Sequence, residues 1–130
     1  MGTQHIIGWE KGVAASATIV VGTEASNVIN VTIQLKDYIG TDLAVANSVI
    51  AYCSSTATGL DRVTTTVSTE TAIGTDGSLG ILLAKSMYLL ISEADGDIDL
   101  NFTDTGTNSF YLVIVLPNGN ISVSSVITFA

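Results

Sequence analysis

Charge is scarce in this chain. Only 12% of its 130 residues are charged, 12 acidic against 4 basic, for a net charge of −8; an ordinary globular protein carries roughly twice that share. Four scattered cations cannot line a nucleic-acid groove, so DNA and RNA binding are excluded. Cysteine is rarer still. Cys53 stands alone, which rules out an intrachain disulfide and removes any need for an oxidising compartment. The one histidine, His5, has no carboxylate beside it in sequence to orient its ring. A Ser-His-Asp or Cys-His constellation therefore has no base to recruit. The longest unbroken apolar run, Phe110 to Leu116, is seven residues, far short of the roughly 18 needed to cross a bilayer. The opening residues lack a basic stretch followed by an apolar one, and Ile6 stands where a myristoylation motif needs Ser or Thr. The expectation is a soluble protein, made in the cytoplasm and bound to no membrane.

What the chain does have is apolar residues at an ordinary 47% and 30 hydroxyl residues, 13 Ser and 17 Thr. That apolar content argues against disorder. The hydroxyls fall at alternate positions. From Val28, Ile29, Val31, Ile33 and Leu35 alternate with Asn30, Thr32, Gln34 and Lys36, the period of a half-buried strand. Further strands are expected in Thr18–Val21, Val45–Ser54, Arg62–Ser68 and, on either side of a break at Ala84-Lys85-Ser86, in Leu79–Ser92. Ile98–Thr103 follows the Asp95-Gly96 turn. Phe110–Leu116 reads as a central strand covered on both faces, and Ile121–Phe129 as the last, interrupted at Ser125. Pro117-Asn118-Gly119-Asn120 is the strongest hairpin signal, and it holds the only proline. Eight or nine short strands with Gly, Asn and Asp turns describe an all-β sandwich. Residues 1–27 read as an N-terminal arm plus a first strand, and 28–130 as the sandwich domain.

Candidate chemistry is thin. Glu93, Asp95, Asp97 and Asp99 put four carboxylates in seven residues, but an EF-hand register would place Ile91 and Phe102 at its first and last ligand positions. The cluster reads as a solvated hairpin in preference to a weak cation site. Cys53 lies on the inward phase of its strand and reads as a structural thiol. Gly74-Thr75-Asp76-Gly77 lacks the lysine and following helix of a phosphate cradle. No catalytic residue, metal site or cofactor is expected, and the chain reads as a non-enzyme. The segment Ile6-Ile7-Gly8-Trp9 stands apart: an apolar tetrad outside the sandwich must pack on its own domain or on a partner. Ile6, Ile7 and Trp9 are the candidate partner-binding residues.

A pattern in the C-terminal half carries a resemblance. Asp95-Gly96-Asp97-Ile98-Asp99-Leu100-Asn101-Phe102-Thr103-Asp104, then Phe110-Tyr111-Leu112-Val113-Ile114-Val115, resembles the last three strands of bacterial and phage immunoglobulin-like domains. Together with Val31-x-Ile33-Gln34-Leu35-Lys36-Asp37 and the ending Ile127-Thr128-Phe129-Ala130, residues 28–130 are similar to the small Ig-like virion proteins of tailed phages, notably capsid decoration (cement) proteins. The antibody-type Cys, Trp, Cys set is absent. The resemblance implies an immunoglobulin-like β-sandwich that binds the outer surface of the capsid and stabilises the head. Its partner would be the major capsid protein, and a homo-oligomer stays open. An acidic chain is repelled by packaged DNA, which favours the capsid exterior. The alternative is an adhesion or carbohydrate-binding module of a phage fibre or tail, with the Thr-rich stretch from Thr56 to Thr75 as its binding loops.

Overall fold

The computed structural model describes residues 12–63 and 67–130. Among these, ten strands follow in chain order: β1 Ser16–Val21, β2 Val28–Lys36, β3 Ser48–Ser54, β4 Thr69–Ile73, β5 Ser78–Leu83, β6 Met87–Ile91, β7 Asp97–Thr103, β8 Ser109–Val115, β9 Ile121–Val123 and β10 Ile127–Thr128. All pairings are antiparallel. The first sheet runs β1-β2-β7-β4. The second runs β10-β8-β3-β6-β5, with β9 also on the outer edge of β8.

These orders make the molecule an immunoglobulin-like β-sandwich. In that fold strands one, two, five and four share one sheet, and strands three, six and seven the other. Here β1, β2, β7 and β4 fill the first set, while β3, β8 and the β9–β10 pair fill the second. The β5–β6 hairpin is an addition, widening the second sheet beyond β3.

The core forms where the inward phases of the two sheets meet. On β2 the alternating apolar set, Ile29 through Leu35, is buried as expected. The β2–β7 register puts Ile29 opposite Phe102, Val31 opposite Leu100 and Ile33 opposite Ile98, so each cross-strand pair adds a layer to one apolar surface. From the second sheet, Val49, Ala51, Cys53, Tyr88 and Leu90 answer them. Phe102 meets Phe110 edge to face, with ring centroids 5.2 Å apart, and Phe110 stacks on Phe129 at 6.4 Å. The Tyr88 hydroxyl crosses the interior to Thr71 Oγ1 at 2.8 Å. That bond gives β4 and β6 a polar tie and satisfies two buried hydroxyls that would each be costly unpaired.

Several local expectations shift. Of the strand expected over Arg62–Ser68, residues 64–66 lie outside the described residues; the next described strand is Thr69–Ile73. Arg62 makes only an isolated bridge to Ser54, and Val63 N–H donates to Cys53 O. The later segment puts Thr71 at Tyr88 and lets the Glu70 carboxylate accept Lys85 N–H at 3.0 Å. The break at Ala84–Ser86 is real, a turn with Lys85 at φ 58°. The last strand is split around Ser124. That buried residue bonds Leu112 twice, N–H to Leu112 O and Oγ from Leu112 N–H, both at 2.9 Å. A side chain thus replaces a ladder bond, and one expected strand becomes β9 and β10.

Candidate functional site: the outer face of the second sheet

The outward phase of the second sheet is apolar too. Register aligns two cross-strand rows on this face, Leu89–Ile50–Val115–Ile121 and Met87–Tyr52–Val113–Val123. Ile50, Leu89, Ile91 and Ile121 are between 37% and 43% exposed, although apolar side chains ordinarily face inward in a small domain. No strand position on this face carries a charge: Ser48, Ser54, Ser78, Gly80, Leu83, Ser109, Tyr111 and Thr128 complete it, and Arg62 bridges Ser54 at one end. In a chain of net charge −8, such a surface is a distinct zone. Contiguous apolar area of this kind marks interaction sites.

One end of the face is roofed. The loop between β3 and Arg62 folds back over it, and Tyr52 Oη donates to Gly59 O at 2.6 Å. Gly59 has φ +75°, and a Cβ there would lie 3.0 Å from Ile121 Cδ1 and 3.3 Å from Val113 Cγ2. Only glycine lets the loop settle so closely, and beneath it Val113 is fully buried. The other end is open. There a groove of about 280 Å³ is lined by Ser48, Ile50, Leu89, Val115 and Pro117. The groove and its exposed rows form one continuous surface whose polar lining side chain is Ser48.

The groove lies beside the point where the described chain begins. Asn47, next to Ser48, donates from Nδ2 to Gly12 O at 2.8 Å and accepts from Ala14 N–H at 3.0 Å. The expected partner-binding residues Ile6, Ile7 and Trp9 lie outside the described residues, as does His5.

The acidic cluster is brought only partly together, and its members have internal partners. Asp99 is buried; its carboxylate accepts from Asn30 Nδ2, from Thr75 N–H at 3.0 Å and from Thr75 Oγ1 at 2.7 Å. Burial pushes its pKa up, but the Thr75 and Asn30 hydrogen bonds outweigh this and hold it below the usual carboxylate range. Asp97 goes the other way, raised by burial and by the negative charges of Asp95 and Asp76. Glu93 Oε1 accepts Gly77 N–H at 3.1 Å, and Asp95 Oδ1 accepts Asp97 N–H at 3.3 Å. Among the described residues no group of three acidic, His or Cys side chains is arranged to hold a metal ion. Cys53 is fully buried among core residues. Thr71 and Thr75, from the Thr-rich stretch, are turned to Tyr88 and Asp99.

Sequence reasoning missed the outer face, although its signal was present. Val49-Ile50-Ala51-Tyr52-Cys53 and Met87-Tyr88-Leu89-Leu90-Ile91 are apolar in both phases, and only one phase can face the core.

No protein-family model matches this chain, and no curated protein does. Among solved structures it is similar to a cohesin module from a Clostridium perfringens family 33 glycoside hydrolase. The alignment covers 91% of this chain and 94% of that one, with a TM-score of 0.42 and 12% identity.

Proposed function

We propose that this chain is a non-catalytic docking module of a phage virion, which binds the outer surface of the capsid and stabilises the head. The observation that carries the binding role is the uncharged, apolar outer face of the second sheet, with its open groove at Ser48, Ile50, Leu89 and Pro117. The class of partner rests on the resemblance of residues 28–130 to small Ig-like virion proteins, and the exterior position on the net charge of −8, which opposes contact with packaged DNA. A partner that binds only the assembled shell stabilises it by its binding free energy. Ile6, Ile7 and Trp9 act as further apolar anchors in this reading, and Gly12 O accepts from Asn47 Nδ2, next to groove-lining Ser48.

The test is a binding assay on purified heads of the source phage, with the whole chain, Leu89→Lys and a variant lacking residues 1–11. The expected result is stoichiometric occupancy by the 13.4 kDa chain, lost in Leu89→Lys and reduced by the truncation. Full occupancy by Leu89→Lys removes the sheet face from the reading. No occupancy by the whole chain, combined with retention on a glycan array, makes the protein a fibre or tail adhesion module instead.

A further inference from the structure

The second sheet ends on an edge that is poorly protected against pairing. Natural sheets blunt edge strands with charge, proline, bulges, shortness or cover. β9 and β10 are three and two residues long. β4 carries Glu70; β1 is uncharged too, but β9 packs beside it and Asn118 Nδ2 donates to Ala15 O just before it. Among the described residues β5 has only one of these devices, the register shift at Leu82. Ser78-Leu79-Gly80-Ile81-Leu82-Leu83 holds no charge and no proline, and Ile81, Leu82 and Leu83 are all exposed. Among the described residues its one sheet neighbour is β6, so alternate N–H and C=O groups of β5 point away from that sheet. From Ser78 to Ile81 the register with β6 is regular; the shift comes only at Leu82.

The ends of β5 differ in charge. Asp76 stands just before it, and the Glu93 carboxylate is held there by Gly77 N–H. At the other end the β5–β6 turn carries Lys85, and Arg62 Nη1 donates to Ser86 Oγ in the same turn at 3.1 Å. Two of the chain's four cations therefore gather at one end of the strand, beside Glu70. Two copies paired antiparallel through β5 bring the Asp76 end of each against the Lys85 end of the other, twice. Parallel pairing would set like ends together.

We propose that β5 is a self-association edge: a second copy of this chain adds its own β5 antiparallel, around a two-fold axis, and joins the two second sheets into one. The outer faces then lie side by side and both stay open, so pairing and docking occur together. A single edge strand gives an interface below the roughly 1,200 Å² of stable complexes, and the dimer is reversible.

Sedimentation equilibrium of the whole chain, from about 10 µM to about 1 mM, tests this. The wild type moves from 13.4 kDa toward twice that mass. Leu82→Lys puts two lysines on apposed edges and weakens the dimer about tenfold or more. Lys85→Glu also weakens it, and adding Asp76→Lys to that chain recovers the wild-type constant at unchanged net charge. A wild type that stays monomeric throughout overturns the proposal. So does a dimer that survives Leu82→Lys but is lost in Leu89→Ser, which would place the contact on the outer face. Failure of the double exchange to recover pairing overturns the antiparallel arrangement.

Discussion

Asp97 and Asp99 sit two residues apart on one strand face, with neighbouring environments of opposite effect. Asp99 receives three hydrogen bonds from Asn30 and Thr75, which favour its ionised form over the unfolded chain's solvated carboxylate. Its folded pKa is therefore depressed. Its contribution is full above the unfolded value near 4 and is lost as pH falls through the lower folded value. Asp97, raised by burial and by Asp95 and Asp76, has the opposite sign: ionising it costs stability, and acidification relieves that cost. Asp99→Asn replaces an acceptor with an amide that meets the Asn30 and Thr75 donors. It should destabilise the fold by about 1–3 kcal/mol at pH 7. Urea denaturation at pH 7 and pH 3 checks this, because the gap to wild type must narrow as pH falls below the unfolded value and the unfolded carboxylate takes up its proton. A gap that is constant with pH would mean packing, and not the charge, sets the cost.

Elements differ in how much of their role is legible in the sequence. β2 was plain, because one phase is apolar and the other polar. The β7–β8 segment was equally readable, with Asp95-Gly96 marking the turn before it. β4 was not. Its residues, Thr-Glu-Thr-Ala-Ile, have no apolar alternation, and the strand is placed by two tertiary contacts, Thr71 with Tyr88 and Glu70 with Lys85. Propensity cannot see such contacts. The split of the last strand was half readable: an interruption near Ser125 is visible in the pattern, but the bidentate role of Ser124 toward Leu112 depends on the neighbouring strand. The roofing loop carries a sharper dependence on one residue. Gly59→Ala adds a Cβ at positive φ and within 3.0 Å of Ile121. The expected cost is about 1–2 kcal/mol, read from the midpoint of chemical denaturation, together with faster amide exchange at Gly59 and Leu60. Unchanged exchange and stability would show that the loop does not depend on this contact.

At the scale of the whole molecule, acidic charge and apolar surface are kept apart. The carboxylates gather at turns and on the first sheet's side, at Asp37, Asp42, Asp76, Asp95 and Asp97, while no strand position of the second sheet's outer face has one and Asp61 lies in the loop that roofs its far end. The charge therefore keeps the protein dispersed without opposing contact at the face. This separation has a pH signature. As pH falls from 7 toward the sequence pI near 4.1, repulsion between molecules fades while the apolar face is unaltered. Association beyond the β5-paired dimer should rise steeply, and it should be carried by Ile50 and Leu89. Ile50→Ser with Leu89→Ser removes apolar area without changing charge, so the pI is unmoved. Both side chains are about two-fifths exposed, and surface substitutions of this kind usually shift stability by only about 0.5 kcal/mol. Light scattering across pH 7 to 4 should show the double variant growing no larger than the dimer where the wild type forms larger species, and a dye that fluoresces on apolar surface should bind it less at pH 7. Equal scattering from the two proteins near pH 4 would place the sticky surface elsewhere, and the outer face would lose its claim as the surface through which this chain recognises its partner.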